Sequence, residues 1–339
     1  MNKLGIYVQV PFCQTKCTYC NFPTGVVSSG RFSPYVEAAC AEIREHRQLY
    51  RAAGVDLPAG FEEAVADTVY IGGGTPSLLE PGLLQWMIGA IRGTFRTELS
   101  EVTLEADPET VEKGKAAAWV RAGINRVSFG VQSFSDRELV AAGRMHRRED
   151  IYRAVAILRD AGIRNISFDL IAGLPHQTKE SWRESLEELG KLDPEHVSVY
   201  LLEVDEGSRL GRELLAGGAR YGAASVTSDD EMADFYETAC AVLVELGYHH
   251  YEISNWGKPG FASRHNLKYW RREQYLGFGA GAHSFSGTER WANALDAAEY
   301  VGAIQAGRAP VEKREAVTRM PRLWSSRASE RPMMPAPAM

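Results

Sequence analysis

Six short, nearly continuous apolar segments recur along the first two thirds of the chain, each followed by a helical pattern. This alternation restricts the fold more than any other feature. The segments are 5–10, 68–72, 102–106, 126–131, 165–171 and 197–202. Helical periodicity predicts helices over 34–53, 81–94, 110–122, 151–160 and 179–189 between them. Short apolar strands alternating with helices indicate a parallel sheet covered by helices. Two joins also resemble each other: Arg121-Ala122-Gly123-Ile124-Asn125-Arg126-Val127-Ser128 and Asp160-Ala161-Gly162-Ile163-Arg164-Asn165-Ile166-Ser167. In each, a glycine able to take positive φ ends a helix and a strand follows at once. Six such units predict an α/β fold, a partial TIM-like (β/α)6 barrel rather than a closed eight-stranded one.

A length of 339 residues suits one barrel with an appendage. Residues 205–230 read as a loop excursion, and 231–246 as a helix stopped by Gly247. A glycine-dense stretch rich in aromatics and histidine, 248–291, follows. Near Ala316 the text turns to Arg, Ser, Pro and Met, for which no structure is expected. The expected divisions are therefore a barrel over 1–225, a helix with a glycine- and aromatic-rich region over 226–315, and an irregular tail over 316–339. A formal charge of −6 with no long basic run argues against nucleic acid as a partner. No apolar run approaches the roughly 18–20 residues of a membrane span, and no secretory signal is recognisable at the start, so a cytoplasmic protein is expected.

Three of the five cysteines, Cys13, Cys17 and Cys20, fall within eight residues in the spacing C-x3-C-x2-C. An odd, crowded set does not suit a disulfide framework. Three soft thiolates on one loop can hold three irons of a [4Fe-4S] cluster, leaving the fourth iron open to a ligand. A zinc site would want paired C-x2-C spacings and a fourth ligand. The loop directly follows the first strand, at the end of the barrel where such folds place their chemistry. Cys40 and Cys240 lie in helical patterns and are expected to behave as core residues.

With Tyr19 before its last cysteine, the motif resembles that of the radical S-adenosylmethionine superfamily. There the open iron holds the amino and carboxylate groups of S-adenosyl-L-methionine, whose reductive cleavage gives methionine and a 5′-deoxyadenosyl radical. Gly72-Gly73-Gly74-Thr75-Pro76 follows the second strand, and its bare backbone allows close approach to a ligand's amino group. Glu105, Gln132, Arg144 and Asp169 fall at or just beyond strands three, four and five, where they could bond a nucleoside's ribose or carboxylate. The resemblance implies a cofactor site made of Tyr7, Tyr19, Gly73, Gly74, Thr75, Glu105, Gln132, Arg144 and Asp169.

The local text Gly130-Val131-Gln132-Ser133-Phe134, Gly143-Arg144-Met145-His146 and Phe168-Asp169-Leu170-Ile171-Ala172-Gly173-Leu174-Pro175 is similar to one subfamily. It contains the oxygen-independent coproporphyrinogen III oxidases and their heme-chaperone relatives, the HemW branch. The oxidases carry a further cysteine two residues after the third, where this chain has Phe22, as the chaperones do. His265-Asn266-Leu267-Lys268-Tyr269-Trp270 also matches the chaperones' H-N-x-x-Y-W heme motif. Histidine is a common axial ligand of heme iron. Tyr269 and Trp270 could stack on a macrocycle, and Lys268, Arg264, Arg271 and Arg272 could pair with its propionates. For an isolated histidine the plainer reading is a surface turn with a capping Asn and a packed aromatic pair.

The resemblance therefore implies a heme chaperone that passes heme to acceptor proteins, respiratory enzymes at the membrane among them. It leaves room for a homodimer and for peripheral attachment at the inner face of a membrane. The alternatives are oxidative decarboxylation of coproporphyrinogen III, within porphyrin biosynthesis, or another radical reaction on a tetrapyrrole. His249 and His250 are expected to pack or cap, and His283 resembles a segment near the cofactor pocket of relatives. Relatives continue into a helical and winged-helix-like domain, whereas this text departs from them near Ala316 and reads as a frameshifted or degenerated end.

Overall fold

The computed structural model describes residues 2–55, 57–58 and 60–317. The expectation for the tail therefore lies, from 318 onward, outside the described residues. Six strands run parallel and pair in chain order: β1 (Lys3–Val10), β2 (Val65–Gly73), β3 (Arg96–Ala106), β4 (Arg126–Gln132), β5 (Asn165–Ala172) and β6 (His196–Leu201). Between them lie the main helices Phe32–Ala52, Pro81–Thr94, Lys113–Ala122, Arg148–Ala161 and Lys179–Leu192. The partial barrel is as expected. Gly123 and Gly162 end their helices at φ +100° and +98°, which is why both joins carry glycine.

Two boundaries differ for local reasons. β3 starts six residues before the expected 102, because its first half alternates exposed and half-buried residues and carries no continuous apolar signal. The helix expected from Thr110 begins at Lys113, because Thr110 instead bonds the Asp107 carbonyl and Ser77 in a tight turn.

The strands are buried on both faces, yet only one face is apolar. Ile6, Val8, Val69, Ile71, Leu104, Val127, Phe129, Phe168 and Val197 belong to the core under the helices. The alternate positions, which include Tyr70, Glu105, Arg126, Ser128, Asp169, His196 and Ser198, line a polar barrel interior.

Beyond the barrel the chain adds strands to both ends of the sheet, giving twelve among the described residues. A hairpin of β7 (His249–Glu252) and β8 (Asn255–Gly257) joins β6. On the other side β9 (Tyr275–Phe278) pairs parallel with β1, followed by antiparallel β10 (His283–Phe285), β11 (Glu289–Asn293) and β12 (Val311–Ala316). The excursion at 205–230 is not wholly loop, since Ser208 caps a helix over Arg209–Leu215. Ser228 and Glu231 form a capping box that starts the helix Asp229–Glu245. Among the described residues no helix is long and apolar enough to cross a membrane.

Candidate functional site

The carboxyl ends of the barrel strands open onto a cavity of about 740 Å³, and Cys13, Cys17 and Cys20 all line it. Their loop is tied at its base, where Cys13 N–H donates to Gly25 (3.0 Å) and Gly25 N–H to Pro11 (2.9 Å). It is also tied at its middle, where Thr18 bonds the Ala141 and Ala142 carbonyls. None of the three is in a disulfide. Burial pushes the Cys13 and Cys20 thiols up, so a cation at the loop would be needed to favour their thiolates. Arg144 Nη1 donates to Cys17 Sγ at 3.4 Å. Among the described residues no three His, Cys, Asp or Glu side chains are grouped to share one metal ion. A cubane takes one thiolate per iron, so three cysteines lining one cavity match the ligand number of a cluster with one open iron.

The three glycines are explained by their neighbours in the chain. A Cβ at Gly72 would lie 2.7 Å from the Glu105 carboxylate, and one at Gly74 would lie 2.5 Å from the Phe12 carbonyl oxygen. Gly73 has φ +109° and packs against the Gln9 side chain. The motif thus lets β2, β3 and the root of the cysteine loop converge. Gly74 N–H donates to Val10 (2.9 Å) and Thr75 N–H to Phe12 (2.7 Å).

Glu105 accepts from Gly73 N–H (2.8 Å) and Tyr70 O–H (2.9 Å). Burial pushes its carboxyl up to about 7 despite these donors. Asp169, also pushed up by burial, accepts from Ser128 (3.2 Å). Gln132 reaches the cavity from a backbone with φ +64°, a region a non-glycine residue holds only when its surroundings impose it. Burial works against the charge on Arg144, but Asp107 and Cys17 more than offset it and keep the guanidinium protonated. Thr75 donates to the same Asp107 (2.9 Å).

Eleven expected residues therefore share one cavity: the three cysteines, Tyr19, Gly73, Gly74, Thr75, Glu105, Gln132, Arg144 and Asp169. Tyr7 is not among its lining residues. It stacks against Tyr70, centroids 6.0 Å apart, and bonds Gln9. Sequence reasoning missed Asp107, Tyr70, Ser128 and Arg126, although strand alternation from Gly72 and Glu105 points to Tyr70 and Asp107.

The H-N-x-x-Y-W segment lies at the opposite end of the barrel, in a short helix over Arg264–Trp270 capped by Ser263. Glu101 receives the backbone N–H groups of Arg264 and His265, both at 3.0 Å. His265 is 1% exposed, with Nδ1 3.0 Å from Thr68 Oγ1 and Nε2 2.9 Å from Tyr269 O–H. Burial, helped by Lys268, lowers its pKa to about 3 and keeps it neutral. Both ring nitrogens are thus engaged. Lys268 is buried against Asp67 (2.8 Å) and Glu273 (3.2 Å), so it is not presented to a propionate. Tyr269 and Trp270 are 39% and 54% exposed, and Arg264, Arg271 and Arg272 of the same segment are exposed too. Asn266 reaches the cavity. His250 stacks on Trp256 at 4.2 Å, a packing role as expected.

A three-cysteine loop at the carboxyl end of a partial parallel barrel is the arrangement of radical SAM proteins, and the sequence model of the Radical SAM superfamily matches residues 7–189. The chain is 37% identical to the heme chaperone HemW of Synechocystis sp. over 84% of its own length and 66% of that protein's. It is 35% identical to the heme chaperone HemW of Bacillus subtilis, over 88% and 75% of the two chains. The coproporphyrinogen III oxidase HemN of Escherichia coli shares the fold, with a TM-score of 0.78 over 94% of this chain and 72% of that one at 23% identity. The chain belongs to the radical SAM superfamily and, within it, to the family of the heme chaperone HemW.

Proposed function

We propose that this protein binds heme and hands it to an acceptor protein, on a barrel that also holds a [4Fe-4S] cluster and S-adenosyl-L-methionine. The observation that carries the reading is the H-N-x-x-Y-W segment, whose Tyr269 and Trp270 lie exposed on a stretch that also exposes three arginines, in a chain whose relatives bear the name heme chaperone. Stacking on the two rings and pairing of Arg264, Arg271 and Arg272 with propionates suit a heme edge. Ligation by His265 would require its bond to Tyr269 or to Thr68 to open first.

When bound, the cluster and cofactor supply one-electron reductive chemistry. Cys13, Cys17 and Cys20 are the cluster's ligands in this reading, and Arg144 offsets their negative charge. Gly73, Gly74 and Thr75 with Glu105 receive the cofactor's amino group. Gln132 would donate to its carboxylate or ribose and Asp169 would accept from its ribose hydroxyls, Tyr19 would line the cluster's side of the cavity, and Tyr7 stacks on Tyr70. The acceptor is a heme-requiring respiratory protein, reached as a homodimer attached peripherally to the membrane.

A second reading has its own support. Phe22, Met145, Tyr200, Leu201 and Ile253 line the cavity as large exposed apolar side chains, which suits a radical reaction on a tetrapyrrole held at the mouth. Phe22 in place of a further cysteine weighs against the oxidase form of that reaction. An anaerobic heme titration of the cluster-reconstituted protein separates the two. A saturable Soret band at one heme per chain, weakened in Trp270→Ala and His265→Ala, supports the chaperone. A tetrapyrrole product after reductive turnover, with no such uptake, would replace it by the enzyme.

A further inference from the structure

One fully buried carboxylate lies outside the cavity and has no part in the chemistry described so far. Glu42, on the helix Phe32–Ala52, is 0% exposed. Its Oε1 accepts from Asn293 Nδ2 (2.8 Å) and Tyr50 O–H (3.3 Å), and its Oε2 from Gly279 N–H (2.9 Å) and Tyr300 O–H (2.6 Å). Three of these donors belong to the chain after the barrel: the turn following β9, the end of β11, and the helix Ala297–Gln305. A buried carboxylate is tolerated only when donors satisfy its lone pairs, so this arrangement fixes three later elements against one early helix.

The same turn reaches the cysteine loop. Gly279, at φ +99°, sits so close to Gln9 that a Cβ would lie 2.6 Å from the Gln9 carbonyl oxygen. Ala280 N–H donates to Tyr35 O–H (2.8 Å), which donates to that same carbonyl (2.9 Å). The Tyr35 ring meets Phe12 edge-on at 5.0 Å and Tyr300 at 5.4 Å. On the far side of the cysteines, Gly281 faces Pro23 and Leu295. The 279–281 turn therefore braces the chain at Gln9, four residues before Cys13, and runs close to Pro23, three residues after Cys20.

We propose that Glu42 is a positioning residue for the cysteine loop, acting through Gly279, Ala280 and Tyr35, so that the segment after the barrel helps set the geometry of the thiols. This rests on the reading of Cys13, Cys17 and Cys20 as cluster ligands. It places part of the cluster's support outside residues 7–189, where the superfamily match ends.

The test compares Glu42→Gln and Tyr300→Phe with the unaltered chain. The glutamine keeps the shape but turns an amide toward two donors, and the phenylalanine removes one donor alone. In metal-free protein, alkylation of Cys13 by iodoacetamide, followed by peptide mass spectrometry, should speed up several-fold in Glu42→Gln and less in Tyr300→Phe. In reconstituted protein, iron should pass to a chelator roughly tenfold faster in Glu42→Gln, while far-UV circular dichroism is unchanged. Unchanged alkylation and iron release in folded variants would overturn the proposal and leave Glu42 a purely structural residue. Failure of the unaltered chain to hold iron, with alkylation still faster in the variants, would instead sink the cluster reading and keep the brace. Should Glu42→Gln not fold, Tyr300→Phe decides.

Discussion

Arg144 holds Cys17 and Asp107 at once: Nη1 stands 3.4 Å from the sulfur, while Nη2 grips the carboxylate and donates to the Gly130 carbonyl at 2.8 Å. It joins the cysteine loop to β3 and β4. A lysine keeps the charge but cannot span three acceptors. Arg144→Lys should therefore weaken binding of S-adenosyl-L-methionine by roughly tenfold or more, and Arg144→Met by more still, since Asp107 then keeps its bond from Thr75 but loses its counter-charge. Equilibrium dialysis on reconstituted protein, with iron content measured alongside, checks this. Equal affinity in all three would remove Arg144 from the site.

In the cofactor site proposed above, Glu105 predicts a pH dependence of binding in the neutral range. With its carboxyl raised to about 7 by burial, it is largely protonated below that pH and ionised above. If the carboxylate pairs with the cofactor's ammonium, affinity rises as pH climbs through 7, approaching tenfold per unit on the acid side. Glu105→Gln should bind more weakly at about pH 8 and lose this slope. Isotherms between about pH 6 and 8 decide, and an undiminished slope in the variant would assign it to another group.

Gly74 tests the convergence of strand and loop. A methyl there meets the Phe12 carbonyl, which as backbone cannot swing away. Gly74→Ala should cost about 2–3 kcal/mol through backbone displacement and lower the iron bound on reconstitution. Thermal unfolding and iron analysis measure both. Full iron content at unaltered stability would contradict the close approach.

His265 calls for a control before any loss of heme is read as lost ligation. His265→Ala removes two hydrogen bonds and opens a cavity, at about 2–4 kcal/mol. Thr68→Val keeps the ring but leaves Nδ1 without its partner, at about 1–3 kcal/mol. If His265 ligates iron, the alanine variant loses the Soret band and the valine variant keeps it. A loss in both, in step with the fall in unfolding temperature, would make His265 a structural plug.

What the sequence determined alone is what short stretches of chain can encode. The cysteine spacing, the glycine motif and the two glycine-ended helices are local patterns, and the strands they punctuate were legible because each buries one apolar face. The polar residues on the other face were partly visible at the strand ends, as Glu105 and Asp169. Others went unread because their value depends on what faces them: Asp107 on Arg144, 37 residues on, and Tyr70 on Glu105, 35 residues on. Strands β7 to β11, three to five residues each, carry too little pattern to be recognised, and β9 exists because β1 supplies its hydrogen bonds. The motif around His265 could be seen as a string, but its burial was decided by Thr68, 197 residues away. Glu42 looked like one more helix carboxylate until Gly279, 237 residues later, closed onto it. Propensity and spacing act within a few residues, whereas burial and hydrogen-bond partnership are set only when distant segments pack, and that packing decided which polar residues are buried together.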